Sequence, residues 1–353
     1  MVENGDPEKV KAIINTILPC LLLFSVILSS CKKTPDANLI MSTPRAYSKS
    51  PALRGINLGN ALDAPAPGEW GVVIKPEYFE VIRAAGFDSV RLPVRFSAHA
   101  LQTFPYTLDP EFLSQVDEII NQGLGAGLTV VLDLHHFEEI MVDPAGQRER
   151  FLAIWKQLAE HYQDAPANLY FELLNEPNQL LDAVAWITLA KEAIQIIRES
   201  NPERKILVGG SDFNSIGALY GLQLPSDENL IATFHFYLPV EFTHQGASWV
   251  NGAEQWMGTK WQGTQDEMRA IIEQLDRAAA WSAQQQIPLI MGEFGSITAA
   301  DAESRQRWTE FLRSESEKRD IGWMYWEFCS EFRVYDCELD TWDEPLLKAL
   351  VLK

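Results

Sequence analysis

The stretch Leu169-Tyr170-Phe171-Glu172-Leu173-Leu174-Asn175-Glu176-Pro177 decides the reading of this chain. Leu169–Leu174 is a near-continuous apolar run of strand length, the pattern of a strand covered on both faces. It breaks into an amide, a carboxylate and a proline. Pro177 cannot continue a strand ladder and so fixes the exit. A purely structural junction does not require Asn175 and Glu176 at that point.

Outward from this stretch the same unit recurs. Strands are expected at Leu53–Leu58, Phe87–Leu92, Leu128–Leu134, Leu169–Leu174, Lys205–Val208, Leu230–Phe236, Pro288–Met291 and Gly322–Trp326. Helical stretches fall between them at Pro110–Ala126, Gln147–Tyr162, Asp182–Glu199, Thr264–Gln285 and Asp301–Lys318, with only a short stretch, Asn214–Tyr220, after the fifth strand. Strands alternating with helices imply parallel pairing through crossovers. Eight such units predict an α/β fold, a single (β/α)8 TIM barrel over residues 53–353. A doubly wound open sheet is the alternative, but Leu58-Gly59-Asn60 lacks the G-x-G-x-x-G spacing of its phosphate turn.

In such a barrel, chemistry collects where strands end. The second strand ends Arg91-Leu92-Pro93, the third Asp133-Leu134-His135-His136, the sixth His235-Phe236-Tyr237, the seventh Gly292-Glu293-Phe294-Gly295 and the eighth Trp326-Glu327-Phe328. Strands four and seven lie across the ring, so Glu176 and Glu293 can face each other over the mouth. Two carboxyls across a scissile bond, one proton donor and one nucleophile or base, are what glycoside hydrolysis needs. Glu293 lies between Gly292 and Gly295, which permit close backbone approach.

Other residues acquire roles by chemistry. Arg91 can hold Glu293 ionised, Tyr237 can donate to the same carboxylate, and Asn175 can reach a sugar 2-hydroxyl. His135, His136 and His235 suit sugar hydroxyls or the tuning of Glu176, and Trp326 and Glu327 complete the substrate side. Structural alternatives stand beside these: Arg91 as a barrel ion pair, His135 as a satisfied core histidine, Trp326 as packing. Zinc held by the histidines is disfavoured, because neighbouring strand residues point to opposite faces and no H-E-x-x-H is present. No G-x-S-x-G occurs. No metal and no cofactor are expected.

The N-terminus reads as an address. Lys9 and Lys11 precede the apolar run Ala12–Leu28, which ends Leu28-Ser29-Ser30-Cys31. This describes a secretory signal over residues 1–30, and the ending resembles a bacterial lipobox with Cys31 as the lipidated residue. A plain signal anchor is the alternative, disfavoured by Asn15 and Pro19 within the run. Residues 31–52 are polar and aperiodic, a flexible tether. The expected location is extracytoplasmic, as a membrane-anchored bacterial lipoprotein or a secreted protein. That compartment permits a Cys329–Cys337 disulfide, which the sequence leaves open.

The net charge of −20 excludes nucleic acid and anionic membrane surfaces as partners and leaves neutral polymers open. The 11 Trp residues suit a large core, and they also suit sugar stacking.

The set Arg91-Leu92-Pro93, His135-His136, Leu174-Asn175-Glu176-Pro177, His235-Phe236-Tyr237, Gly292-Glu293-Phe294 and Trp326-Glu327-Phe328 resembles glycoside hydrolase family 5, in order, across Arg54–Leu350. Gly55–Pro65, His135–Pro144, Glu241–Val250 and Trp326–Asp336 further resemble bacterial endoglucanases that also act on mannan. The resemblance implies a retaining double displacement on β-1,4-glucans, with Glu293 as nucleophile and Glu176 as acid/base. It also implies that Asn60, Asp63, His136, His244 and Trp249 line the groove. Asp63 departs from the relatives' longer Glu and is expected to reach a hydroxyl through water. A monomeric endo-β-1,4-glucanase is expected, with a mannanase, a dual glucanase/mannanase or a non-catalytic glycan-binding lipoprotein as alternatives.

Overall fold

A computed structural model describes residues 50–351. The expected signal segment, Cys31 and most of the expected tether lie outside the described residues. The strands β1 (Arg54–Asn57), β2 (Ser89–Val94), β3 (Thr129–Leu134), β4 (Leu169–Glu172), β5 (Ile206–Gly209), β6 (Leu230–Phe236), β7 (Leu289–Phe294) and β8 (Gly322–Tyr325) pair in chain order. All the pairings are parallel, and β8 returns to β1 to close the barrel. The expected (β/α)8 barrel is the observed fold.

Around it run α1 (Glu77–Ala85), α2 (Pro110–Gly125), α3 (Glu138–Val142), α4 (Pro144–His161), α5 (Ala183–Ser200), α6 (Val240–Thr243), α7 (Gln265–Gln285), α8 (Ala302–Glu317) and α9 (Glu344–Leu350). Asp109, Asp143, Asp182, Thr264, Asp301 and Asp343 accept backbone N–H groups at the starts of α2, α4, α5, α7, α8 and α9. Such caps satisfy donors that a helix start leaves free. Helix α1 has Pro76 at that position and no side-chain cap. That explains why it carries no start signal in the sequence, although Tyr78, Phe79, Ile82 and Ala85 are buried on its inner face.

Inside the barrel, Leu53, Val131, Leu207, Ile231, Ile290 and Met324 form an apolar plug. Side chains two residues further along each strand point the same way, and there the interior turns polar: Arg91, Asp133, Glu172 and Thr233 are fully buried. The site rests on this layer. Within the last residues of the expected tether, Ser50 Oγ accepts the Leu289 N–H at 2.8 Å. The chain is thus already fastened to the foot of β7 before β1 begins. A short antiparallel ribbon, β9 (Tyr335–Asp336) with β10 (Thr341–Trp342), follows β8.

Candidate active site

Glu176 sits four residues beyond the end of β4, on a segment still laddered to its neighbours. Leu173 N donates to Leu207 O at 3.1 Å and Asn175 N to Leu134 O at 2.9 Å. Glu176 itself has φ of 45°, a left-handed conformation that turns its side chain out of the strand alternation. Glu293 lies within β7, beside a register shift between Phe234 and His235 that leaves His235 paired with Glu293. Irregularities of this kind re-aim side chains at barrel rims. Gly295 allows the Trp326 carbonyl so close that a Cβ would collide with its oxygen.

Arg91 is the hub. Its Nε and Nη2 donate to Glu172 at 2.7 and 3.0 Å, and Nη1 to Asn57 at 3.0 Å and Glu293 Oε1 at 2.8 Å. Nη2 also donates to Asn175 Oδ1 at 2.9 Å and lies 3.0 Å from Asp133 Oδ2. Tyr237 OH donates to Glu293 Oε2 at 2.8 Å. His235 Nδ1 is 2.7 Å from Glu176 Oε1 and 3.5 Å from Glu293 Oε2. Carboxylate oxygens of Glu176 and Glu293 lie within 4.8 Å of each other.

The electrostatics separate the two glutamates. Burial pushes Glu176 up to about 7, against the pull of Arg91. Burial raises Glu293 as well, but the Arg91 and Tyr237 donors favour its charged form. Burial lowers His235 to about 4, so it is neutral beside them. Tyr237 is held well above its ordinary range by burial and by Glu293, and remains a donor.

A cleft of about 710 Å³ opens over this pair. It is lined by Asn60, His135, His136, Asn175, Tyr237, His244, Trp249 and Trp326, all expected from the sequence, together with both glutamates. Trp326 lies parallel to His135, ring centres 5.8 Å apart. Trp249 is 56% exposed, free to present a ring face.

Residues 46–331 match the family described as Cellulase (glycosyl hydrolase family 5). The chain belongs to this family. As a member of family 5 it is a glycoside hydrolase. Over 319 residues it is 34% identical to endoglucanase H of Acetivibrio thermocellus, an alignment that takes in 88% of this chain and 34% of that protein. The chain therefore spans about a third of that relative's length. Endoglucanase C of the same organism is 29% identical and is covered over 97% of its length, against 84% of this chain. Among solved structures, Thermotoga maritima Cel5A in complex with cellobiose is 48% identical with a TM-score of 0.84, over 85% of this chain and 97% of that one. The same Thermotoga protein with a mannotriose substrate is 47% identical, also at 0.84, with the same shares of each chain covered.

Within this family 5 barrel two residues expected on the substrate side do not line the cleft. Asp63 is fully buried and does not face the cleft; its Oδ2 accepts the Asn60 N–H at 3.0 Å and its Oδ1 the Ala61 N–H at 2.8 Å. A side chain this short folds back on its own turn, as Asp commonly does, and positions Asn60 without lining the cleft itself. Glu327 is also fully buried, with Oε1 accepting the Phe332 N–H at 3.4 Å, and it does not line the cleft.

A third correction concerns the histidine pair. Strand alternation was expected to send His135 and His136 to opposite faces, but β3 ends at Leu134 and His136 has φ of 50°. Their rings meet edge-on at 4.5 Å, both at the cleft. Asp63, His135 and His136 bring ligand-type atoms within 4.8 Å of one another. Both Asp63 oxygens, however, are already taken by backbone donors. Around Glu293 the Arg91 guanidinium opposes any cation.

Trp70, Ser248, Ser330, Glu331 and Phe332 also line the cleft and escaped the sequence reading. Trp70, set between Gly68 and Gly71, packs edge-on to His136 at 5.5 Å; an indole on a glycine-flanked loop was the available signal. Ser330, Glu331 and Phe332 lie on a loop closed by the Cys329–Cys337 disulfide, whose Cα atoms are 5.7 Å apart.

Proposed function

We propose that this chain is an endo-β-1,4-glucanase acting by retaining double displacement, with Glu293 as nucleophile and Glu176 as acid/base. The observation that carries the reading is the approach of the two carboxylates to within 4.8 Å. Retaining enzymes hold them about 5–5.5 Å apart, whereas inverting enzymes need roughly 6.5–9.5 Å to admit a water. Direct attack on the anomeric carbon is the chemistry this gap permits.

In the first step a Glu293 oxygen bonds to the anomeric carbon as the glycosidic bond breaks. The departing oxygen takes the Glu176 proton. In the second step Glu176 accepts a proton from water, whose oxygen attacks the same carbon and releases Glu293. Asn175 Oδ1 is occupied by Arg91, which leaves its NH2 to donate to the sugar 2-hydroxyl. Trp249 and Trp326 offer faces for pyranose stacking, and His136 and His244 offer polar edges.

The proposal extends to a β-1,4-linked polysaccharide substrate that includes mannan or glucomannan, supported by the mannotriose complex of the Thermotoga protein. It also extends to a monomer tethered outside the cytoplasm through lipid on Cys31, supported by the lipobox-like Leu28-Ser29-Ser30-Cys31 and by the Cys329–Cys337 disulfide. Reducing-end release from soluble cellulose, mannan, xyloglucan and xylan tests the substrate, and proton NMR of the first-formed anomer tests the stereochemistry. A β-anomer formed first is expected, and an α-anomer overturns double displacement. Glu293→Ala regaining turnover with azide, as a glycosyl azide, tests the nucleophile. Release of the Cys31→Ala protein from membranes tests the anchor.

A further inference from the structure

Asp133 takes no part in the double displacement, yet it is fully buried beside the residues that perform it. Its Oδ2 lies 2.5 Å from His135 Nδ1 and 3.0 Å from Arg91 Nη2. Its Oδ1 is buried and has no hydrogen-bond partner. A full negative charge is poorly served there, since one oxygen has nothing to accept from.

The surrounding charges sharpen the point. From β2, Arg91 brings one positive charge, but two of its N–H groups are committed to Glu172 on β4 and one to Glu293 on β7. Double displacement requires Glu293 to be ionised, so the guanidinium is already outweighed. Glu176 adds a further carboxyl whose charge opposes that of Asp133. Asp63, on the loop after β1, adds another near His135 and His136. The remaining groups do not compensate. His235 on β6 and His136 are kept neutral by burial, at about 4 and about 2. Arg95, at the end of β2, is paired with Glu138 at 2.7 Å.

We infer that Asp133 and His135 hold one shared proton, and that Asp133 is thereby a positioning residue that decides whether His135 Nε2 donates to, or accepts from, the sugar in the cleft. With Nδ1 engaged by Asp133, Nε2 is the only nitrogen that His135 can present to the cleft it lines. When the pair carries the extra proton, Nε2 bears hydrogen, whether the other proton sits on Oδ2 or on Nδ1. When that proton leaves, Asp133 is a carboxylate, Nδ1 keeps its hydrogen, and Nε2 is bare. Burial pushes Asp133 up to about 7 and His135 well below its usual range, which supports a single proton shared between them. The pair titrates as a unit.

The inference rests on the glucanase reading only for its effect on substrate. The experiment uses the intact enzyme, with 15N-labelled histidine, and compares Asp133→Asn with wild type. In wild type the His135 Nε2 resonance is expected to move from a protonated to a bare shift as pH rises through neutrality. In Asp133→Asn the amide oxygen still accepts from Nδ1, so Nε2 is expected to be bare throughout. On soluble cellulose, KM is expected to change with pH in wild type by the worth of one hydrogen bond, roughly 2- to 10-fold. Asp133→Asn should lose that dependence while the alkaline limb of kcat, governed by Glu176, persists. A His135 Nε2 signal that is constant across the pH range in wild type overturns the proposal, as does an Asp133→Asn protein that titrates like wild type. Should the variant fold poorly, the wild-type titration alone decides. Absence of hydrolysis by wild type removes the glucanase reading and leaves the titration readable.

Discussion

Arg91 Nη1 lies 2.8 Å from Glu293 Oε1, and the same guanidinium grips Glu172 with two further N–H groups. Arg91 therefore aims the proposed nucleophile from a fixed point in the barrel interior. Lysine cannot reproduce a planar fork serving several partners. Arg91→Lys should lower kcat about 100-fold or more, comparable to losing a preorganised charge-stabilising donor. Removing the charge altogether, as in Arg91→Met, should destabilise the fold by about 3–5 kcal/mol, because buried carboxylates are left unpaired. Steady-state kinetics and chemical denaturation measure the two effects.

Tyr237 OH donates to the other Glu293 oxygen at 2.8 Å. Tyr237→Phe removes one hydrogen bond to a charged group, about 1.5–3 kcal/mol, or roughly a 10- to 150-fold loss in kcat/KM. Without that donor the Glu293 carboxylate is harder to ionise. The acid limb of the kcat/KM profile should move to higher pH, as a pH–rate series will show.

In the proposed mechanism Glu176 must be protonated to assist departure of the leaving group, and burial sets it at about 7. Activity should therefore fall as pH rises through neutrality. Glu176→Gln should lose this limb together with most activity on polysaccharide. Substrates with a good leaving group should be cleaved to the glycosyl-enzyme faster than they are released, giving a burst in stopped-flow measurements.

The raised carboxyls should contribute to the pH dependence of stability in the opposite sense to depressed ones. Burial raises Asp63 to about 6, and Asp133 and Glu176 to about 7. Between about pH 4 and those values these three carboxyls bind more protons in the folded chain than in the unfolded one, so their contribution to stability falls as pH rises, while the histidines lowered by burial, His136 to about 2 and His235 and His244 to about 4, contribute in the opposite sense below about 6.5. A single substitution isolates one carboxyl: by calorimetry, the Tm lost in Asp63→Asn relative to the unsubstituted chain should be larger near pH 5 than near pH 7.5. The same substitution also weakens the turn that holds Asn60.

The Cys329–Cys337 disulfide closes a short loop that carries Ser330, Glu331 and Phe332 into the cleft wall. Phe332 also packs against Tyr237 and His244, at ring separations of 6.1 and 5.3 Å. Replacing both cysteines with serine should cost about 2–3 kcal/mol on a chain-entropy estimate for so short a loop. It should raise KM more than it lowers kcat. Denaturation with and without reductant, alongside kinetics, checks both effects.

The pattern of apolar runs and helical intervals was enough for the barrel, because buried parallel strands must be apolar on both faces and must be joined by crossovers. Polar residues at six strand ends were enough to locate the mouth and to nominate the carboxylates. The stretches from Pro110, Asp182 and Asp301 were legible as helices, whereas α1 was not, since Pro76 offers no side-chain acceptor at its start. Asp133 and Glu172 were visible as polar breaks inside apolar strands. Their convergence on Arg91 was not, because β2, β3 and β4 meet only when the barrel closes.

The order of residues along the chain determined the strand count, the ring and the membership of Glu176 and Glu293 in one rim. Only the closed structure decided which side chains line the cleft. Asp63 and Glu327 withdraw into buried hydrogen bonds, while Trp70 and Phe332 come forward from loops. Strand periodicity governs direction within a strand, but beyond Leu134, Glu172 or Tyr325 the backbone leaves it. At such points, left-handed turns such as those at His136 and Glu176, together with the contacts available in three dimensions, set where each side chain points.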